Sequence, residues 1–595
     1  MQQLKKQETK QSLTKFFQLI QPERKIFIGL LFCSLIGNAL VTAMPFIMGI
    51  AIDDLLELIK LTGFQQVTLA DLNQVLMVPV LILIVFAGIS SMTSYIQEAT
   101  MAKLSEKITL RLRKEITKKF KKLPISFFDQ HQVGDILSRT TTDLNRVSQV
   151  LLTGVNQFFS SVANILFAGF MLFYIDYKMT LIVLALMLVS SFVTKKIALK
   201  NKELADKSQS ELGILNNQAE EFFAGSLVTK TFNQQDAAKK VILATNKKQY
   251  QAFKNAQFMN YAIYPAIRFI NQLAFIISGV LGAILVIQGA MSIGVIQAYL
   301  QYVNQISEPI TTSSYVINDI QGAMASIDRI FAILEELEEV PEKVELTTIT
   351  KPKGEIRFKE VQFGYSPDQL LMKKVDFTAK ARKTIAIVGP TGAGKTTLVN
   401  LLLRFYEING GMITFDGHDI TNLSRKNLRS MFGMVLQNTW LFEGTVADNI
   451  AYGKRDATRE EIIQAAKVAQ CDHFIRTLPN GYESIISSEG GLLSQGQQQL
   501  LTIARIILAN PPVVILDEAT SSVDTRTEAH IQQAMNEVTK DRTSFVIAHR
   551  LSTIENADLI LVMKAGTIIE QGNHQELLAK PSLYAELYRS QFQVT

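Results

Sequence analysis

The residues best suited to chemistry lie late in the chain. Gly389-Pro390-Thr391-Gly392-Ala393-Gly394-Lys395-Thr396 has the spacing G-x-x-x-x-G-K-T. Glycines at these positions let backbone amides wrap an anion, and the lysine adds a charge that reaches phosphates. The threonine hydroxyl suits a divalent cation. Residues 385–388 before the loop form a short apolar run, and an apolar helical stretch starts near Thr397. Strand, loop and helix in that order put the helix N-terminus against the anion, where backbone N–H groups and the dipole favour negative charge. A second centre follows the apolar run 513–516, which ends in Asp517 and Glu518. A continuous apolar run of this length reads as a strand buried on both faces. Ligands collect at the carboxyl ends of such strands. Asp517 is placed there to hold Mg2+ through water, and Glu518 to polarise an attacking water as general base. The two centres predict an α/β domain that binds and hydrolyses ATP with Mg2+.

Something must carry that domain, and composition says what. The chain has 595 residues, too many for one ordinary domain. It is 48% hydrophobic, with a mean hydropathy of +0.17, high for a soluble enzyme. The apolar excess is concentrated in residues 26–318. Six stretches near 26–51, 76–98, 149–174, 178–195, 262–288 and 292–316 approach the roughly 20 residues a bilayer requires. The first, over residues 26–52, is longer than the apolar core of a signal peptide and suits a membrane span. The connection 53–75 carries Asp53, Asp54, Glu57 and Asp71 against Lys60. The connection 101–146 carries Lys103, Lys107, Arg111, Arg113, Lys114, Lys118, Lys119, Lys121, Lys122, Arg139 and Arg146, and 195–254 is similarly rich in lysine. Basic loops stay in the cytoplasm. Both termini are therefore expected in the cytoplasm of a multi-pass protein of the bacterial plasma membrane. Helical composition over 101–122 and 201–223 predicts arms projecting roughly 30 Å beyond the bilayer.

The net charge of +6 sits largely beside membrane segments, which points to lipid headgroups and not to nucleic acid. Leu13, Phe16, Phe17 and Ile20 before Pro22 read as a helix lying at the membrane interface, with a disordered tail as the alternative. Cys33 and Cys471 have neither disulfide nor metal-ligand context and are expected to pack as small hydrophobes. Glu98, Arg268 and Glu308 are ionisable groups inside spans, where charges tend to face a bundle interior or aqueous cavity. For Glu308, before Pro309, a substrate path, a structural hydrogen bond and a position in the cytosolic extension all remain open. Phe158, Phe159, Phe269, Phe275 and Tyr299 are candidates for contact with apolar substrates, or simply packing.

Leu493-Ser494-Gln495-Gly496-Gln497, downstream of the phosphate loop, resembles the signature of the ABC transporter superfamily except at Gln495. With the membrane segments first, nearly the whole chain is similar to the exporter half-transporters. The resemblance implies a six-helix α-helical membrane domain at 26–334 after an N-terminal elbow at 1–25. It implies a linker at 335–353 and an α/β nucleotide-binding domain at 354–595. It implies further roles: Tyr365 stacks on adenine; Gln437 contacts Mg2+ and the attacking water; Glu489 touches the coupling helices. Ser521-Ser522-Val523-Asp524 resembles the D-loop, and His549 the switch histidine on the γ-phosphate. Residues 389–397 form one face of the nucleotide site, Thr396, Gln437 and Asp517 its metal set, and Ser494–Gln497 the face offered to the opposing subunit. Coupling helices are implied near 140–145 and 225–232. The implied activity is ATP-driven export of amphipathic small molecules, multidrug export leading and lipid or peptide export second, with an ATP-gated channel or sensor further behind. Glutamine replaces the glycine expected at position 495. That substitution suggests a heterodimer, with a non-identical half-transporter as partner.

Overall fold

The computed structural model describes residues 12, 14–63, 67–366, 369–436, 439–486, 492–517, 525–547 and 554–592. It divides into two compact units, Met1–Lys121 with Gln132–Glu336, and Lys122–His131 with Leu337–Thr595.

The first unit is helical. In chain order the helices are α1 (Arg24–Thr62), α2 (Leu69–Phe120), α3 (Ile125–Gln130), α4 (Val133–Thr140), α5 (Thr142–Gln149) and α6 (Val155–Ile175). They continue as α7 (Tyr177–Ala224), α8 (Ser226–Thr231), α9 (Gln235–Ile287) and α10 (Ile293–Leu334), with α3 belonging to the second unit. Their starts are written locally. Thr68 and Asp71 form a reciprocal capping box before α2, and Asp176 accepts the Met179 amide at 2.7 Å before α7. Among the described residues, five helical stretches are long and apolar enough to cross a membrane: Thr14–Thr62, Leu69–Phe120, Val133–Ile175, Tyr177–Ala224 and Gln235–Ile287. Helix α10 has 42 residues but is not among them; its N-terminal half carries Gln297, Gln301, Asn304 and Gln305. At 52 and 48 residues, α2 and α7 each run roughly thirty residues beyond the roughly 20 that a bilayer needs.

One core of the unit is built by α6, α7, α9 and α10, around Leu172, Val183, Ala274, Tyr299, Tyr302 and Ile306. The Tyr302 hydroxyl donates to the Thr42 carbonyl on α1 at 2.7 Å. Helix α1 is also clasped to the start of α10. Asp53 accepts hydrogen bonds from the Ser292 hydroxyl and, at 2.8 Å, from the Gly294 amide. Gly49 and Gly294 meet there so closely that a Cβ on Gly294 would lie 1.9 Å from the Gly49 carbonyl oxygen. Residues 14–20 are helical, but their apolar side chains are divided: Leu19 and Ile20 are buried and Phe17 is exposed. Lys15 pairs with Glu335 at 3.1 Å, so this segment is tied to the far end of α10.

The second unit is α/β. Its strands are β1 (Ile356–Phe363), β2 (Met372–Ala379), β3 (Thr384–Val388), β4 (Gly410–Phe415), β5 (His418–Asp419) and β6 (Phe432–Val435). They continue with β7 (Gly444–Thr445), β8 (Ile485–Ile486), β9 (Val513–Asp517), β10 (Thr543–Ile547), β11 (Leu559–Lys564) and β12 (Thr567–Gly572). The main sheet has the order β12-β11-β3-β10-β9-β6. All its pairings are parallel except β11 with β12. Both faces of β3, β9 and β10 are covered, which is why these strands read as unbroken apolar runs. A second, antiparallel sheet, β2-β1-β4-β5, shares one core with the helix after β3. Cys471 is fully buried in the other large core, and burial first, then the Asp472 charge, pushes its thiol well above the usual range. Both cysteines are free, as their contexts predict.

The stretch 140–145, where the resemblance implies a coupling helix, lies in the membrane unit at the α4–α5 junction. Asp143 is buried there, bound by Arg329 and at 2.7 Å by the Ser326 hydroxyl, both on α10. The part of that connection packed within the α/β unit is Lys122–His131. The Glu339 amide donates to the Lys122 carbonyl at 2.8 Å, Lys122 pairs with Glu338 at 3.2 Å, and α3 buries Phe127.

Candidate functional site: a phosphate loop and its carboxylate

Strand β3 ends at Val388 and the chain turns through the glycine loop into helix α11 (Lys395–Leu402). Gly394 caps that helix in the left-handed region at φ 99°, a conformation side chains resist. Gly389 is constrained twice over, by φ 154° and by a carbonyl. A Cβ there would stand 2.2 Å from the Met563 oxygen of β11. The loop is stitched down by the Gly566 amide, which donates to Ala393 at 3.0 Å. Thr391, Gly392 and Thr396 face outward. Lys395 Nζ folds back to the Gly389 carbonyl at 2.7 Å and the Pro390 carbonyl at 3.1 Å, which holds the ammonium over the loop. Burial lowers its pKa below the usual lysine range, and the charge of Asp517 works in the opposite direction.

Sheet register brings the second centre alongside. Asp517 pairs with Ile547, and Ile547 with Ile387, so the ends of β9, β10 and β3 form one row. Two strand spacings put Asp517 roughly 10 Å from the strand feeding the loop. That is room for a phosphate chain with a cation between the loop and the carboxylate, and the hydroxyl of Thr396 and the carboxylate of Asp517 are hard oxygen donors suited to Mg2+.

Tyr365 stands at the end of β1, about half exposed, with its hydroxyl 2.9 Å from that of Thr397. Thr397 is itself buried, so its side chain serves Tyr365 while its neighbour Thr396 faces out. The Tyr365 ring is braced edge-on by Phe363 at 5.0 Å and by Tyr406 at 5.1 Å. The Tyr406 hydroxyl donates to Asp129 at 2.5 Å, which connects this aromatic group to α3. Burial first, and then the Asp129 carboxylate, raise the Tyr406 pKa well above the usual phenol range. Sequence reasoning did not find Phe363, Tyr406 or Asp129; an aromatic one turn after a phosphate-loop helix is the only trace of them in the sequence.

The signature residues are built on a different core. Ser494 caps helix α12 (Gln495–Ala509), accepting the Gln497 amide, while Gln497 Oε1 accepts the Ser494 amide at 2.9 Å. Gln495 is exposed at the first turn and Gly496 is buried. This helix packs in the core around Leu500, Ile503 and Ala504, whereas the phosphate loop packs with Leu398 and Ile385. Gln437, Glu489, Glu518, Ser521–Asp524 and His549 lie outside the described residues, as does the side chain of Glu308. Glu98 and Arg268 are both exposed on the membrane unit.

Two family models match this chain: an ABC transporter transmembrane region over residues 27–310 and ABC transporter over residues 372–521. A fatty acid ABC transporter ATP-binding/permease protein of Mycobacterium bovis is 44% identical over 486 residues, covering 82% of this chain and 76% of that protein. The chain belongs to the ABC transporters. As a membrane region and an ATP-binding region in one polypeptide, it is a half-transporter of the exporter type that couples ATPase activity to transport across a membrane. An ATP-dependent lipid A-core flippase of Syntrophus aciditrophicus is 32% identical, covering 97% of this chain and 94% of that one. A solved bacterial Atm1-family ABC exporter with ATP bound is 26% identical with a TM-score of 0.74, covering 96% of this chain and 98% of that one.

Proposed function

We propose that this half-transporter exports lipid-like amphiphiles, from the cytoplasm or the inner leaflet, by ATP-driven alternating access. The observation that carries the ATP-driven part is the single row formed by the phosphate loop, β10 and Asp517. Lys395, Thr396 and the loop amides would bind ATP, and Thr396, Gln437 and Asp517 would hold Mg2+. When bound, that ion neutralises phosphate charge. Glu518 follows Asp517 directly and would be the general base, with His549 on the γ-phosphate. Six spans, α10 among them as the sixth, and cytoplasmic termini complete the reading; the basic connections support it. The names of the two relatives favour lipid-like cargo over general multidrug export.

We further propose a non-identical partner subunit. Gln495 sits exposed at the first turn of α12, where a side chain adds bulk at the face offered to the partner's nucleotide. A signature that closes poorly is served best by a partner with a standard signature and a weakened catalytic acid.

The test is reconstitution in proteoliposomes of the chain alone and with a second half-transporter encoded beside it. Export reads out as ATP-dependent transfer of a labelled lipid between leaflets, compared with transfer of a cationic drug. Drug transfer with no lipid transfer overturns the lipid reading. A stable homodimer with full substrate-stimulated ATPase overturns the heterodimer.

A further inference from the structure

The N-terminal half of α10 has two faces. Ala298, Tyr299, Tyr302, Val303 and Ile306 are almost completely buried in the membrane unit's core. Gln297, Gln301, Asn304 and Gln305 follow at i, i+4, i+7 and i+8 and share the opposite face, over roughly 12 Å of helix. A row of four carboxamides is costly in a segment that crosses hydrocarbon, and such groups turn to a bundle interior or a cavity. The protein meets their hydrogen-bonding capacity only in part. The side-chain amides of Gln297 and Gln301 both face the sulfur of Met48 on α1, at 3.8 Å. A thioether is a weak acceptor. The carbonyl oxygens Oε1 of Gln297 and Gln305 are buried and, among the described residues, have no hydrogen-bond partner. Leaving such acceptors unmet is unfavourable, so the arrangement calls for a donor.

We propose that this carboxamide row binds the head of an amphiphile that both donates and accepts hydrogen bonds without net charge: a hydroxyl, a carboxamide or a protonated carboxyl. Each carboxamide offers two N–H donors and one acceptor, and no charge. A hydroxyl head supplies one donor, enough for the orphan oxygen of Gln297 or of Gln305, and takes an N–H from a neighbouring carboxamide in return. A quaternary ammonium head supplies no donor and meets no carboxylate in the row. An ionised carboxylate accepts but cannot donate, and so leaves the two orphan oxygens unmet. Neighbouring members of the row lie roughly 5–6 Å apart, so a glycerol-type head reaches two at once. The inference rests on the proposed export of lipid-like amphiphiles, and it names the part of the cargo that this chain reads.

The experiment uses the full chain in lipid nanodiscs without nucleotide, so that binding is separated from export. The probe is a monoacylglycerol with a diazirine in its acyl chain; crosslinked peptides are located by mass spectrometry. Labelling is expected on Ile293–Leu334, around residues 297–306, and on Met48. Unlabelled monoacylglycerol should compete about tenfold more strongly than an alkyltrimethylammonium of equal chain length, as expected for loss of the hydrogen bonds. Gln297→Met, Gln301→Met and Gln305→Met combined keep side-chain length and suit hydrocarbon, so the fold is retained. They should cut labelling by about tenfold while ATP binding stays unchanged. Equal competition by the ammonium, labelling elsewhere, or labelling that survives the methionine variant overturns the proposal. If labelling behaves as expected but no ATP-dependent transfer occurs, the export reading fails and the binding site stands.

Discussion

Replacing Tyr406 with phenylalanine removes one atom and tests how the second unit holds α3. The lost hydroxyl donates to the Asp129 carboxylate at 2.5 Å. A hydrogen bond to a charged group contributes about 1.5–3 kcal/mol net. Asp129 is exposed and water competes for it, which brings the contribution down to about 1 kcal/mol. The phenyl ring stays, so the edge contacts to Phe363 and Tyr365 at 5.7 and 5.1 Å persist. About 1 kcal/mol is a factor of about five in the local opening equilibrium. Hydrogen exchange by mass spectrometry should therefore show the amides of Lys122–His131 exchanging about fivefold faster in Tyr406→Phe, with β1 and β3 unchanged. The Glu339 amide bond to Lys122 and the burial of Phe127 remain, so the segment loosens without leaving. Unchanged exchange in Lys122–His131, or acceleration spread over the whole unit, would refute the reasoning.

Glu518→Gln should leave ATP binding intact and lower hydrolysis by about 10²–10⁴-fold, the usual contribution of a positioned base, in a phosphate-release assay. Near-normal turnover would reject the assignment. Gly389→Ala forces a Cβ against the Met563 carbonyl at 2.2 Å, so nucleotide affinity should fall at least about tenfold by fluorescent-nucleotide titration. Gln495→Gly in the chain assembled alone should raise its ATPase rate if the glutamine weakens closure; no rise removes the main support for a non-identical partner. Asp472 gives a pH test. Burial opposes its charge, but the Tyr482 hydroxyl at 2.6 Å and Arg476 at 3.0 Å outweigh it and lower its pKa below the usual carboxylate range. A carboxylate with a depressed folded-state pKa adds stability above the unfolded value of about 3.9, and loses it as pH falls through the folded value. Thermal melts from pH 6 down to 2 should thus show a shallower decline for Asp472→Asn than for the parent. Parallel curves would show that the pair adds nothing.

The parts legible in sequence are those whose meaning is local. The loop at 389–396 announces itself because strand, turn and helix are consecutive, and Ser494 and Gln497 form a capping box three residues apart. Apolar length alone reveals most of the membrane helices. Helix α10 falls in the stretch 292–316 read as the sixth span, although its amide row keeps it off the set of helices apolar enough to cross a membrane. Long-range partners stayed hidden because no local pattern names them. Nothing within reach of Tyr406 in sequence names Asp129, 277 residues away, and nothing near Asp143 names Arg329. The resemblance implies a coupling helix near 140–145, while the packing of Lys122–His131 within the α/β unit has no local signal in the sequence.

The Asp53 clasp has a mechanical consequence. A helix start normally finishes its free amides with its own cap or with water. Here part of that task is given to another helix, because the α1 carboxylate takes both the Ser292 hydroxyl and the Gly294 amide. With Gly49 and Gly294 in backbone contact and Tyr302 anchored to Thr42 further along, the two helices are fastened at two heights. Two fixings remove relative swivel as well as separation. Helices α1 and α10 therefore move as one strut, and any flexing in the membrane unit must be taken up along other seams.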